Sequence, residues 1–405
     1  SVVNLIKSQR DLTIDHYSKS GFELYGPIGL KKWLDQNNIL YSELAGVSKE
    51  NSADYPTIPM LEAKLRDLAT KYPNIMQLIS IGKSSKGRNL WFVKISDNVQ
   101  TDEVEPEVKL ISSMHGDEIT GRESMMFLIE DLVTNYGSNS AITNLINNSE
   151  VYIMPTMNPD GNERRTRGNG NNVDLNRDFP DFSTSDNVNS WNNREIETRA
   201  IMQFQKQRNF SLSTNFHTGA EVVNYPWDTA EEPHPFDALV KNIALAYSSN
   251  VPYIYNSHQF TNGITNGYAW YEVNGGMQDW SYYYHDDLQF TVELSSTKWP
   301  NFSQMSYYYN QNKKGLLVFL QKVHQGVGFK YQNSKTESGV VHIDQIQNRS
   351  VVSQGDYTFS NGEFYKILPK GNYRFIIKNS KNESITFQRS VIEGSVSSPN
   401  YELID

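Results

Sequence analysis

The pattern of apolar and polar positions divides the chain into three parts. Residues 1–54 carry short mixed patches broken by glycine and proline, so we interpret them as an N-terminal extension whose role the sequence leaves open. Residues 55–327 begin with apolar residues at helical spacing and continue with short apolar runs typical of buried strands. Residues 328–405 consist of short alternating runs separated by turn residues, which predict a small β-sandwich.

Helical and strand patterns alternate in the middle part of the chain. Helices are predicted over 123–133, 195–206, 236–249 and 305–324, and strands over 90–95, 109–114, 150–155, 211–217 and 290–294. Such alternation is typical of an α/β domain, in which helices cover the sheet and leave it largely buried. We therefore expect one α/β domain over 55–327, followed by an all-β part.

Composition and charge exclude several classes of function. The 405 residues include 37 Lys and Arg against 46 Asp and Glu, and a net charge of −9 argues against nucleic acid as a partner. Cysteine is absent, which excludes disulfides, thiolate metal sites and cysteine nucleophiles. No apolar run is longer than five residues, as in residues 316–320, which is far below the roughly 20 residues of a membrane span. The composition favours a secreted or periplasmic protein whose signal peptide has been removed.

Two histidines and a glutamate have the spacing of a metal site. His115 and Glu118 lie three residues apart directly after a predicted strand, so both can reach one ion. His217 ends another predicted strand and would complete a His, Glu, His set with one position left for water, as in catalytic zinc sites. The remaining histidines, His16 among them, are interpreted as solvated or structural.

Beyond these three residues, ordered motifs resemble the zinc metallocarboxypeptidases, in particular the branch that includes carboxypeptidases N, E and D. The motifs are HGDE (115–118), GRE (121–123), MNPDG (157–161), DLNRDFP (174–180), NFHTGA (215–220), NYPWD (224–228), ITNGYAWYEVNGGMQDW (264–280) and TVELSSTKWP (291–300). The tail segment NGEFYKILPKGNYRF (361–375) resembles the transthyretin-like domain of that branch. The resemblance implies a mixed-sheet α/β/α catalytic domain over 55–327 and a transthyretin-like sandwich over 328–405.

The resemblance also implies roles in catalysis. It makes His115, Glu118 and His217 the ligands of one zinc ion per chain, and Glu293 the general base that takes a proton from water. Arg167 would polarise the scissile carbonyl, although the segment ERRTRGNG (163–170) leaves Arg164 or Arg165 as alternatives. Asp174 is expected to accept a hydrogen bond from the ring of His115 and so to fix its tautomer. The alternative role of Asp174 is an acceptor in a loop turn.

Further residues are implied in substrate binding. Arg177, with Asn176 beside it, would bind the terminal carboxylate through a forked guanidinium. Tyr271 matches the tyrosine that moves over bound substrate. Asp228 is expected at the bottom of the pocket for the last side chain, where it would favour Lys or Arg, with Gln278 lining the same pocket. Alternatively, Asp228 caps a turn.

Three residues depart from the pattern of the relatives. Asp117 stands where Asn or Arg is usual, Thr218 replaces a common glycine, and Trp227 replaces a smaller aromatic residue. The interpretation is a zinc exopeptidase that removes C-terminal Lys or Arg from peptides or proteins. Two alternatives stay open, a carboxypeptidase acting on peptidoglycan stem peptides and a peptide-binding relative without activity. The sequence leaves the oligomeric state open.

Overall fold

The N-terminal extension forms two short helices around a β-hairpin. The computed structural model describes residues 2–9, 12–18, 20–27, 29–44, 55–347, 350–393 and 399–405. The elements of the extension are α1 (Val2–Lys7), β1 (Thr13–Ser18), β2 (Gly21–Tyr25) and α2 (Leu30–Gln36). The two strands are antiparallel and form a sheet of their own. The sequence had left this part without a structure.

An eight-stranded mixed sheet forms the centre of the molecule. Its strands are β3 (Met76–Lys83), β4 (Asn89–Ile95), β5 (Glu107–Ser112), β6 (Glu150–Met154), β7 (Phe210–His217), β8 (Ala220–Tyr225), β9 (Ile264–Asn266) and β10 (Leu288–Ser295). They lie in the order β3-β4-β6-β5-β7-β10-β8-β9, and β6, β5, β7 and β10 are mutually parallel. Every residue of β5, β7 and β10 is buried, so both faces of these central strands are covered.

Helices cover both faces of this sheet, as predicted for an α/β domain. They are α3 (Ile58–Lys71), α4 (Thr120–Asn135), α5 (Ser140–Ile146), α6 (Pro159–Arg164), α7 (Ile196–Gln205), α8 (Asp237–Ser248), α9 (Pro252–Tyr255), α10 (Gly267–Trp270), α11 (Met277–His285) and α12 (Met305–Gln321). Successive residues of one strand belong to different cores. Val151 and Ile153 of β6 pack in the core with α4 and α12, whereas Tyr152 packs in the core with α7 and α11.

The predicted elements agree with the observed ones to within a few residues, but one helix ends early and several observed elements, namely β8, β9, α5, α6 and α9–α11, were not predicted. The helix predicted over 305–324 ends its α-helical part at Gln321, and a 3₁₀ turn, Lys322–His324, follows. Strand β8 was not predicted as a strand, because its residues follow β7 after a turn of only two residues.

The C-terminal part is all β, as predicted. Its strands are β11 (Gly326–Tyr331), β12 (Gly339–Gln347), β13 (Ser350–Phe359), β14 (Glu363–Ile367), β15 (Gly371–Asn379), β16 (Ser384–Val391) and β17 (Tyr401–Ile404). They form a three-stranded sheet, β14-β11-β17, and a four-stranded sheet, β13-β12-β15-β16. Phe329 of the first sheet contacts Phe387 of the second with ring centroids 6.3 Å apart, so the two sheets face each other. Strand β11 begins two residues before the expected boundary at 328, and the transthyretin-like identity stays a prediction.

Candidate active site

The three proposed metal ligands meet at one edge of the central sheet. His115 follows β5 and His217 ends β7, and these neighbouring strands are parallel, so their carboxyl ends lie side by side. Glu118 lies in the turn between His115 and α4. Its carboxylate oxygens are 3.0 Å from Nδ1 of His115 and 2.9 Å from Nδ1 of His217. All three side chains are buried.

This arrangement fits a zinc ion. The two Nδ1 atoms of His115 and His217 are only 3.1 Å apart, and two ring nitrogens at that distance repel each other unless a proton or a cation lies between them. Two imidazole nitrogens and one carboxylate are the ligand set of many catalytic zinc sites. The second ring nitrogen of His115, Nε2, lies 3.0 Å from Oδ1 of Asp174, and this bond leaves Nδ1 free to bind a metal. Burial alone would raise the pKa of Glu118, but His115 and His217 hold it well below its usual value.

Glu293 lies beside the ligand set. It belongs to β10 and is directly opposite His217 in the parallel pairing of β10 with β7. Its side chain is buried, and no hydrogen-bond partner for its Oε2 is present in the part of the chain that the structure describes. A buried carboxylate oxygen without a donor is costly unless it has a ligand or a proton to handle. The arrangement can therefore place a general base next to a metal.

Of the three arginines considered, Arg167 lines the site. Its Nε donates to Oδ2 of Asp174 at 2.9 Å, and its guanidinium lies 3.7 Å from Glu118. Arg164 instead donates to the backbone oxygen of Asn169, and the guanidinium of Arg165 lies over the ring of Trp299. Asp174 thus binds both His115 and Arg167 and holds these two groups relative to each other. Its side chain also accepts from the backbone N–H of Asn176, so it has the turn role as well.

The proposed carboxylate-binding residues follow Asp174 in a 3₁₀ turn, Leu175–Arg177. Asn176 accepts the backbone N–H of Met277 through Oδ1, which holds the turn against the start of α11. Arg177 donates to the backbone oxygen of Asn176 at 2.9 Å and to that of Ile14 at 3.2 Å. Both residues line one small cavity together with the metal ligands and Tyr271.

Asp228 lines the same cavity. It is buried, and its Oδ1 accepts from Nδ2 of Asn224 and from Nε2 of Gln278, both at 2.9 Å. None of the ion pairs formed between described residues involves Asp228. Burial raises its pKa to about 6, although the hydrogen bond from Asn224 acts in the opposite direction. The site therefore holds a desolvated carboxylate that has no cationic partner of its own.

The turn around Asp228 is held by a different residue. Asp279 accepts the backbone N–H groups of Asp228 and Thr229. Within the described chain, the side chain of Asp228 accepts no backbone N–H group. The geometry thus favours the pocket role of Asp228 over the capping role that the sequence left open.

The three departures from the pattern of the relatives lie close to the site. Thr218 donates its backbone N–H to Glu118 at 3.1 Å and its hydroxyl to the backbone oxygen of Lys298. Burial raises the pKa of Asp117, while Lys298 opposes that change. Trp227 packs between Phe182 and His234, outside the ligand set.

Sequence reasoning missed several residues that lie beside the site, and it gave His16 no place there. Asp15 contacts Arg167 and Tyr271, and Nε2 of His16 lies 3.8 Å from Oε1 of Glu293. Lys298 lies 3.9 Å from Glu118. Lys298 was visible in the motif TVELSSTKWP, but no sequence signal connects Asp15 or His16 with residues 150 or more positions away.

Comparisons with known proteins agree with this geometry. Residues 61–315 match the peptidase M14 family, described as zinc carboxypeptidase. The chain is 35% identical to human carboxypeptidase D over 371 residues, which are 85% of this chain and 26% of that protein. It is 37% identical to mouse carboxypeptidase M over 339 residues, covering 77% and 75% of the two chains. The catalytic chain of rat carboxypeptidase N is 35% identical over 361 residues, 78% of each chain.

Solved structures share the fold at low sequence identity. The carboxypeptidase A of Helicoverpa armigera aligns with a TM-score of 0.63 and 20% identity, over 78% of this chain and 92% of that one. The chain spans about a quarter of the length of human carboxypeptidase D. Its matched residues form a metallocarboxypeptidase domain, that is, a domain of a peptide-hydrolase family. By sequence and by fold, the chain belongs to the zinc carboxypeptidase family.

Proposed function

We propose that the protein is a zinc-dependent exopeptidase that hydrolyses the C-terminal peptide bond of peptides or proteins and prefers a terminal Lys or Arg. One observation carries this proposal. The cavity beside the two histidines and Glu118 is lined by the buried Glu293 and by the buried Asp228, which forms no ion pair with any residue that the structure describes. With Glu293 as general base beside the scissile bond and Asp228 as an anion in the pocket for the last side chain, the cavity would suit a substrate whose last residue is basic.

The reaction follows from the residues around the proposed metal centre. His115, Glu118 and His217 would hold one zinc ion, which when bound polarises the scissile carbonyl and lowers the pKa of a water molecule. Glu293 would take a proton from that water and return it to the departing amine. Arg167 would donate hydrogen bonds to the oxygen on which negative charge develops.

The other cavity residues would select the substrate. Arg177 can offer a forked guanidinium to the terminal carboxylate, with the Asn176 amide beside it. The ring of Tyr271 would cover the bound residue. Asp228 would pair with the ammonium or guanidinium of the last side chain, and Gln278, which donates to Asp228 at 2.9 Å, would supply an uncharged hydrogen-bonding group behind it.

Two alternative functions would use the same site residues in a different way. A carboxypeptidase acting on peptidoglycan stem peptides would use Asp228 to bind the amine of diaminopimelate. A peptide-binding relative without activity would not need Glu293, and the presence of Glu293 beside the ligand set therefore supports an enzyme. Among the described residues, no helix is long and apolar enough to cross a bilayer. A secreted or periplasmic location and a transthyretin-like C-terminal domain over 328–405 remain part of the proposal.

The proposal is tested by metal analysis together with hydrolysis of matched peptides. The peptides differ only in the last residue, which is Arg, Lys, Leu, Phe or Glu, and one further peptide ends in diaminopimelate. We expect one zinc per chain, release of the last residue only, and the highest kcat/KM for Arg and Lys. A preference for Leu or Phe, or activity that survives complete metal removal, would contradict the proposal.

A further inference from the structure

The hairpin of β1 and β2 lies in the cleft where the substrate is proposed to bind. Asp15 of this hairpin lines the same cavity as His115, Arg177 and Asp228. The cavity that remains between these residues measures about 20 Å³. That is room for about one water molecule and far too little for a Lys or Arg side chain. The cleft is therefore filled by the protein's own N-terminal segment.

Asp15 binds the cationic and phenolic groups of the site. Its carboxylate forms an ion pair with Arg167 and accepts a hydrogen bond from the hydroxyl of Tyr271 at 2.7 Å. Burial alone would raise the pKa of Asp15, but Arg167, His16 and Lys298 hold it well below its usual value, so the group is ionised. A carboxylate of the hairpin thus occupies the two groups that are proposed to act on the substrate.

His16 reaches further, toward the base and the metal ligands. Its Nε2 lies 3.8 Å from Oε1 of Glu293, and its Nδ1 lies 3.1 Å from Oε2 of Glu23. The ring packs on Gly219, where a Cβ atom would lie 2.2 Å from it, two residues after His217. His16 has a positive φ of 47°, and the β1–β2 register shifts between Asp15 and Ser18. In a regular strand, successive side chains point to opposite faces. The irregularity at His16 interrupts this alternation, so the neighbouring residues Asp15 and His16 both contact residues of the cleft.

The backbone of the hairpin also takes up donors of the site. The oxygen of Ile14 accepts from Arg177 at 3.2 Å, and the oxygen of Tyr17 accepts from Nε1 of Trp270 at 3.1 Å. Arg177 is the proposed anchor for the terminal carboxylate of the substrate. A bound peptide would have to displace the Ile14 oxygen to reach it.

The second strand anchors the hairpin to a residue next to the site. Glu23 accepts from Lys298 at 2.9 Å, and the ring of Tyr25 lies 4.8 Å from the same ammonium and 5.0 Å from the guanidinium of Arg167. Asp15 and Glu23 face each other across the hairpin, where two like charges repel. Lys298 and Arg167 cancel that repulsion when the hairpin is docked. An undocked two-stranded hairpin is only marginally stable, so the docked form depends on the cleft.

We propose that the hairpin of residues 13–25 is an intramolecular inhibitor that occupies the substrate cleft through Asp15 and His16 and must leave before a peptide can bind. The segment is not a substrate, because the chain continues on both sides of it and offers no terminal carboxylate. The identity of the groups it covers as catalytic and substrate-binding rests on the function proposed above. That the hairpin covers these groups does not depend on the proposed function, and a chemical probe can measure the access to the cleft separately.

The test uses the full chain and two readouts. The Asp15→Ala/His16→Ala variant removes the two side chains that enter the cleft. The Glu23→Gln/Tyr25→Phe variant keeps the size of the side chains and weakens the anchor at Lys298 and the contact of Glu23 with His16, so it guards against misfolding of the first variant. The matched control is Asp35→Ala/Gln36→Ala, two exposed residues of α2 in the same extension. The first readout is kcat/KM for a peptide ending in Arg.

The second readout does not need activity. Because the chain has no cysteine, a Thr291→Cys substitution places a single thiol on the wall of the cavity, at a position that is 8% exposed. Its rate of reaction with a methanethiosulfonate reagent reports how often the cleft is open. We expect both hairpin variants to raise this rate and kcat/KM by about tenfold or more, while the α2 control leaves both unchanged.

The outcomes separate this inference from the proposed function. An unchanged labelling rate in both hairpin variants overturns the inference, whatever the activity. Faster labelling without any gain in kcat/KM of an active chain also overturns it, because the hairpin then covers the cleft without inhibiting. If no form of the chain cleaves any peptide, the proposed function fails, and the labelling rate alone decides whether the hairpin closes the cleft.

Discussion

Glu293 on β10 is the register partner of His217 at the end of the adjacent parallel strand β7. The proposed base and a proposed metal ligand are therefore held by the hydrogen bonds of a buried sheet and not by a loop. Residues on neighbouring strands at the same register have little freedom to move apart.

Loss of one histidine should abolish metal binding. In His217→Ala the remaining ligands, His115 and Glu118, leave a zinc ion with two protein ligands in place of three. We expect zinc content, measured by elemental analysis after dialysis, to fall from about one per chain to a small fraction. The matched control, His258→Ala, alters an exposed histidine and should keep the zinc. A His217→Ala protein that retains one zinc per chain would show that the metal is bound elsewhere.

Replacing the proposed base should separate turnover from metal binding. Glu293→Gln keeps the shape of the side chain but cannot accept a proton from water, so we expect kcat to fall by at least ~10²-fold. Zinc content and Tm should stay close to those of the parent protein. The comparison is made in the Asp15→Ala/His16→Ala background, so that the hairpin does not limit the rate. Glu221→Gln, on the neighbouring strand β8, is the control, and a kcat within a few-fold of the parent for Glu293→Gln would refute the assignment.

The charge of Asp228 should set the preference for basic residues. Asp228→Asn keeps the hydrogen-bonding shape and removes the anion, so an ammonium or guanidinium would be desolvated without compensation. We expect kcat/KM for peptides ending in Arg and Lys to fall by roughly 30-fold or more. The kcat/KM for peptides ending in Leu should change little. Asp237→Asn serves as the control, and a variant at Asp228 that still ranks Arg and Lys first would place the specificity elsewhere.

The same residue predicts a pH dependence of specificity. Burial raises the pKa of Asp228 to about 6, so its carboxyl group is neutral below that pH and charged above it. The ratio of kcat/KM for Arg over Leu peptides should therefore fall as the pH drops from 7 through 6 to 5, since kcat/KM follows the free enzyme. In Asp228→Asn, the ratio of kcat/KM for Arg over Leu peptides should stay constant between pH 7 and pH 5. A wild-type ratio that is independent of pH would contradict the role of this ionisation.

A buried carboxyl group far from the cleft predicts a change in stability with pH. Burial, together with Asp97 and Glu103, raises the pKa of Glu105 to about 8 in the folded protein, against 4.5 for an unperturbed glutamate. Between these values the folded state binds more protons than the unfolded state, so this group makes the protein less stable as the pH rises. Glu105→Gln should raise the free energy of unfolding by on the order of 1 kcal/mol at pH 8 and by little at pH 4. Denaturant unfolding at pH 8 and at pH 4 measures this change in the free energy of unfolding, and the exposed Glu232→Gln is the control. An equal effect of Glu105→Gln at the two pH values would contradict the prediction.

Local patterns in the sequence were sufficient for most of the fold. The strands β5, β7 and β10 carry apolar residues such as Leu110, Phe216 and Val292 at short spacing, and such patterns are visible without a structure. The separation of His115 from Glu118 and the motifs around His217 and Glu293 named the residues of the proposed metal site. The family resemblance favoured Arg167 among three nearby arginines, and the structure adds that its guanidinium reaches Asp174.

Only the tertiary structure decided where the hairpin of the N-terminal extension lies. Asp15 is 152 positions from Arg167 and 256 from Tyr271, and no periodicity or motif links residues at such distances. The sequence by itself determined the fold class, the family resemblance and the chemistry at the edge of the sheet, because these depend on local patterns. The docking of Asp15 and His16 depends on charges and on free volume, including the space beside Gly219, that exist only after the catalytic domain has assembled.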